Sequence, residues 1–192
     1  TKWFAEKKSI FFFSYLFHLD YTKYKEDKYK TGQWGPITDL LRELSLKSNW
    51  MHHFVPNPVI SNTKAGVKFI DKLNVNPNTN GVHQFLFSYL NIKIVFKVIS
   101  NYIKIIFKLP IFIKFKDSFK PNKSNACFWY LLKKDFMNSI IGPKSIENLL
   151  WIELFDLALS KIPYQEKGIY LQENQGWEKA FITSWKNHNH GK

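Results

Sequence analysis

The sequence predicts an α/β fold, a Rossmann-like open parallel sheet with inserted helices. Three observations predict it. Ile10-Phe11-Phe12-Phe13-Ser14-Tyr15-Leu16-Phe17 is one continuous apolar run, as expected of a strand covered on both faces. Strand-like and helix-like stretches then alternate, with extra helices inserted before the last strand. Finally, residues 168–187 read as a short strand, a polar turn carrying an acid, and a helix. That order puts a carboxylate at the C-terminal end of a strand, where open α/β sheets build ligand crevices.

The first strand is expected over 9–19. Residues 21–30 read as a charged, tyrosine-rich loop, and 111–119 as an edge strand or extended link with alternating lysines. Thr31-Gly32-Gln33-Trp34-Gly35-Pro36 is a turn opening a helix, since Pro36 suits a first helical turn. Ile37, Leu40, Leu41 and Leu44 share one face of it, opposite Asp39, Arg42 and Glu43. A second strand is expected over 49–55, closed by Pro56 and Pro58, and a helix over 65–73. The asparagine-rich run 74–81 is a loop. Residues 82–89 fit strand and helix equally. Helices follow over 92–109, ended by Pro110, and over 124–141 and 144–161, separated by Gly142-Pro143. The last strand is expected over 168–172 and the last helix over 175–187.

The 192 residues suit a single domain with a real core, and the 45% hydrophobic content excludes a disordered chain. Thr1-Lys2-Trp3-Phe4 does not resemble a natural start, and the chain stops where a further strand is expected. Both ends are therefore expected to be cut. The run 10–17 is too short to span a bilayer and lacks a cleavage site. Cys127 stands alone, which excludes an internal disulfide and points to a reducing, cytoplasmic compartment. It reads as a small core residue.

The formal charge is +13 and almost all of it is lysine, with Arg42 the single arginine. Such an excess suits phosphates or an anionic membrane. Without arginine forks, base-specific DNA readout is disfavoured. In 92–109, Lys93, Lys97, Lys104 and Lys108 fall in a narrow arc, and nearly everything else is apolar. Two readings stay open. The helix lies in a membrane interface with its lysines toward headgroups, peripherally on an inner membrane. Or it packs on the core and keeps one solvated lysine face.

Candidate chemistry gathers after the strands. Asp20 and Glu173 both follow strand ends, so a parallel sheet brings both to one edge, where either could act as general base toward a hydroxyl. Asp20 also reads as a loop acid or cap, and Glu173 as an acid held by a helix dipole. Gln33, Trp34 and Gly35, with Asn174, Gln175 and Trp177, are candidate substrate contacts beside them. The tryptophans could stack on a sugar ring or sit in the core. Glu178 reads as a solvent or interdomain contact. No phosphate-binding glycine fingerprint is present. His52 and His53 point to opposite faces of a strand, and His188 and His190 have no partner acids nearby in the sequence. Neither metal nor cofactor is expected.

Trp34-Gly35-Pro36-Ile37 with Leu40-Leu41, then Asn49-Trp50-Met51-His52, then Glu173-Asn174-Gln175-Gly176-Trp177-Glu178-Lys179-Ala180 and His190-Gly191-Lys192, resemble bacterial surface carbohydrate biosynthesis proteins. Those are similar to glycosyltransferases of the two-Rossmann-domain (GT-B) type. The resemblance implies the N-terminal, acceptor-side half of such an enzyme, one domain over 1–192 without its donor-binding half. It implies a nucleotide-sugar and a glycan acceptor as partners of the full-length protein, and no transfer by this half alone. The alternative is a non-catalytic basic module for a membrane or nucleic acid.

Overall fold

Four stretches pair side by side as an all-parallel sheet in the computed structural model, which describes residues 5–76, 81–120 and 126–191. They are β1 (Ile10–Leu16), β2 (Ser48–Phe54), β3 (Gly81–Phe85) and β4 (Lys167–Tyr170). Their order is β3-β2-β1-β4. The α/β class and the parallel sheet therefore stand. The asparagine-rich stretch 77–80, the expected helix start at Ser124 and the chain start 1–4 lie outside the described residues.

The register sorts side chains between two faces, because successive strand residues point opposite ways. Phe12 pairs with Trp50, which pairs with His83; Phe13 pairs with Met51. One face carries Phe12, Ser14, Trp50 and His52. It is covered by α1 (Tyr21–Lys25), α2 (Gly35–Glu43) and α3 (Thr63–Val75). Phe12 stacks on Trp50 at 4.0 Å, and Trp34 meets both edge-on. The opposite face carries Phe11, Phe13 and Met51. It packs on α4 (Ile92–Phe107), α7 (Pro143–Lys161) and α8 (Gly176–Asn187). Gly168 makes this approach possible, since a Cβ there would come within 3.0 Å of the Trp185 ring. On this face Asn49 forms a buried polar hub. Its amide donates to Gln165 Oε1 (2.6 Å), the Ser9 hydroxyl and the Glu6 carbonyl. One side chain thus ties the N-terminal segment to the approach of β4.

Several expectations are corrected. Residues 111–119 form no strand; they continue helically as α5 (Leu109–Ile113) and a 3-10 segment, Lys114–Phe119. Helix α4 does end before Pro110, at Phe107, but Pro110 then sits in the first turn of α5, where no N–H is needed. The loop expected over 21–30 begins with α1, capped by Asp20, whose carboxylate accepts the Lys23 N–H at 3.0 Å. Asn74 and Val75 belong to α3, not to a loop. The ambiguous stretch 82–89 divides into β3 and a 3-10 turn, Leu86–Tyr89. Helix α6 is Trp129–Ile141, lying against α4 and α7. There the Tyr102 hydroxyl donates to the Ile141 carbonyl.

Candidate functional site

Strands β1 and β4 pair only from Ile10 with Lys167 to Phe13 with Tyr170. Beyond that, β1 runs on through Leu16 while β4 leaves the sheet. Where neighbouring strands of an open α/β sheet part at their C-terminal ends, the topology leaves room for a crevice. With β1 flanked by β2 on one side and β4 on the other, this is where the chain order reverses, the usual ligand position in open α/β sheets. Among the described residues six non-glycine positions hold left-handed backbone, and two of them, His18 (φ 52) and Asn174 (φ 56), follow these strand ends.

Tyr15 sits at the parting point. Its hydroxyl accepts a 2.7 Å hydrogen bond from Trp177 Nε1, which leaves its own hydrogen free to donate. Burial raises its pKa above the usual tyrosine value. The Trp177 bond opposes that, and the charges of Glu173, Glu178 and Glu147 add to it. Glu173 therefore feels Tyr15 electrostatically across the crevice. The His53 ring lies 5.4 Å from Tyr15 and 4.8 Å from Trp151. Burial lowers its pKa, partly offset by the Glu147 carboxylate. Glu147 is ionised readily, because Lys144 donates to it at 2.9 Å. The crevice so joins a phenol, a neutral imidazole and two carboxylates.

The Glu173 loop is held rigidly by Glu178. That carboxylate is buried and accepts the N–H groups of Glu173 (2.7 Å) and Gln175 (2.8 Å). It fills the helix N-terminus of α8 with its own negative charge. Glu178 is thus an internal cap, not the solvent or interdomain contact its sequence position suggested. Trp177 is core, as is Trp34, whose indole N–H donates to Ser14 Oγ at 2.7 Å. Neither ring lies open at the surface.

The expected site residues separate into two groups. Glu173, Asn174, Gln175 and Trp177 sit together on the α7/α8 side of β4. Asn174 and Gln175 also line a groove of about 560 Å³ between α7 and α8, which reaches Lys97. Asp20, Gln33, Trp34 and Gly35 sit on the α1/α2 side of β1. There Asp20 is used as a cap, Gly35 is buried at the start of α2, and the Gln33 side-chain amide oxygen Oε1 is buried without a hydrogen-bond partner among the described residues.

No family model, curated protein or solved structure matches this chain.

Sequence reasoning missed Tyr15, His53 and Glu147. They come together only through the β1–β2 register and the packing of α7, which leave no local spacing to read. It also missed a buried polar layer on the other sheet face. His52 Nε2 and His83 Nδ1 are 3.0 Å apart with their rings nearly coplanar, under the Tyr29 ring. A cavity of about 680 Å³ opens beside them, lined by Tyr29, Trp50 and His83 with Lys23, Lys28 and Arg42 at its edge. His188 pairs with Asp156 and His190 bonds the Leu159 carbonyl, so both serve the fold. Among the described residues no three His, Cys, Asp or Glu side chains are placed to hold a metal ion.

The histidine pair gives a pH prediction. Burial pushes His52 down to about 3, and His83 is likewise pushed well below its ordinary value. In the unfolded chain both titrate near the ordinary histidine value of 6.5. Below that pH the unfolded chain binds protons that the folded chain excludes. Stability is thus full above about pH 6.5 and falls as the pH drops toward 3, by up to about 1.4 kcal/mol per pH unit for each histidine. Urea midpoints at pH 7.5 and 5 should show the fall. Equal midpoints would contradict the neutral pair.

Proposed function

We propose that this domain is the acceptor-side half of a GT-B-like glycosyltransferase in surface polysaccharide synthesis. The observation that carries the reading is the parting of β1 and β4 at the switch point, with Tyr15, His53, Glu147 and Glu173 gathered beside it. It supports a polar, hydroxyl-rich ligand, because tyrosine, imidazole and carboxylates orient hydroxyls by hydrogen bonds. In the proposed reaction the Tyr15 O–H donates to an acceptor oxygen and holds it. Glu173 takes the proton from the attacking hydroxyl as its oxygen bonds to the sugar's anomeric carbon. The bond from that carbon to the nucleotide phosphate breaks, and the nucleoside diphosphate leaves. His53, uncharged beside Glu147, is a second hydrogen-bond partner for the acceptor. The donor belongs to a second domain in this reading.

The test is nucleoside diphosphate release by the full-length protein, given UDP-, GDP- and ADP-sugars with surface-glycan acceptors. Acceptor-dependent release is expected with at least one pair. No release above buffer with any pair contradicts the proposal.

A further inference from the structure

Helix α4 has three faces. Ile94 and Val98 are buried toward α7. Lys97 belongs to that docking, because its ammonium meets the buried Glu153 carboxylate at 2.6 Å, and Asn101 reaches the same carboxylate at 3.2 Å. Lys97 is thus tied to the fold and leaves the lysine set expected to face a membrane. A second face is apolar and bare. Ile92, Phe96, Ile99, Ile103, Ile106 and Phe107 are 64%, 65%, 48%, 46%, 42% and 81% exposed. At about 100° per residue they share an arc of roughly 100°. Beside it runs the third face, with Lys93, Lys104 and Lys108. The pattern continues beyond α4. Ile111 and Phe115 are exposed in the helical stretch that follows, and Lys116 sits over the exposed Tyr130 ring at 5.9 Å. From 92 to 120 the one acid is Asp117.

Contiguous apolar surface of this kind marks an interaction site. We propose that the bare face of α4 and the adjoining α5 segment rest in the interface of an anionic lipid membrane. The apolar stripe enters the acyl boundary, and Lys93, Lys104, Lys108, Lys114 and Lys116 meet the headgroup phosphates. Charge selects this occupant. A second copy of the chain would set lysines against lysines. A nucleic acid would take the lysines but leave the central phenylalanines and isoleucines in water. Among the described residues no helix is long and apolar enough to cross a membrane, so the contact is with one leaflet.

The experiment is flotation with vesicles of phosphatidylcholine, with and without phosphatidylglycerol, at low and high salt. Binding is expected to need phosphatidylglycerol and to weaken with salt. Each lysine near the surface contributes about fivefold, so Lys93→Gln, Lys104→Gln and Lys108→Gln together should lower partitioning by about 100-fold. Phe96→Ser with Phe107→Ser should lower it by about tenfold or more. Both side chains are exposed, so thermal unfolding should stay at the wild-type temperature in both variants. Wild-type partitioning in either folded variant overturns the proposal. So does an absence of vesicle binding together with self-association that Phe96→Ser and Phe107→Ser abolish, since a second copy would then cover the face. RNA binding that survives those two substitutions, without vesicle binding, also overturns it.

Discussion

Glu173→Gln is expected to slow the proposed sugar transfer about 10²–10⁴-fold, the usual cost of losing a general base. The side chain keeps its shape and loses only its charge. Its own backbone N–H is fixed by Glu178, and its carboxylate is exposed at the crevice lip. No buried partner is orphaned by the change, so stability should move by less than about 0.5 kcal/mol. The contrast is with Glu178→Gln. There the carboxylate loses charge inside the helix cap, and stability should fall while the chemistry suffers indirectly. A Glu173→Gln protein that unfolds more easily but turns over normally would assign Glu173 to the cap.

The largest stability effect is expected at Phe13. Its side chain is 1% exposed at the centre of the core. Its ring centroid lies 4.6 Å from that of Trp177, 4.8 Å from that of Phe155 and 6.3 Å from that of Trp151. Truncating it leaves a cavity walled by these rings and that of Phe181, 6.2 Å away, which cannot collapse easily. Phe13→Ala should cost about 3–5 kcal/mol, a large share of the roughly 5–15 kcal/mol that holds a domain together. Phe96→Ala is the control. With that ring 65% exposed, its loss should change stability by under about 0.5 kcal/mol. Urea unfolding of both variants measures the difference. A cost under 1 kcal/mol at Phe13 would mean the core is not centred there.

What was legible in the chain followed its local patterns. The phenylalanine run of β1 and the strand–turn–helix at 168–187 declared themselves, because buried parallel strands are continuously apolar. The lysine stripe of α4 was readable as period, but its apolar remainder was not divisible. Which part packs on α7 and which stays bare depends on where α7 lies. Residues 111–119 mislead because Lys114 and Lys116 imitate a two-residue alternation; Pro110 does follow the end of α4, but it also fits the first turn of α5. Glu178 was legible in principle. A glutamate three residues after Gln175 is the spacing of a reciprocal cap. The His52–His83 pair spans 31 positions and had no local signal. Tyr15 and His53 were invisible as a pair, since only the β1–β2 register brings them together. Asp20 and Glu173 were correctly sent past the ends of β1 and β4, but α1 takes Asp20 for its own cap.

That last difference permits the most direct test of the central claim, that chemistry is done in the crevice between β1 and β4. The measurement is turnover of Asp20→Asn and Glu173→Gln in the full-length protein, side by side, with thermal unfolding of each. The account predicts that Glu173→Gln loses about 10²–10⁴ in rate at an unchanged melting temperature. It predicts that Asp20→Asn keeps turnover within a few-fold and loses at most about 1 kcal/mol, since asparagine also caps helices. The reverse ranking, or full turnover in both, would contradict it and move the catalytic base away from the Glu173 lip.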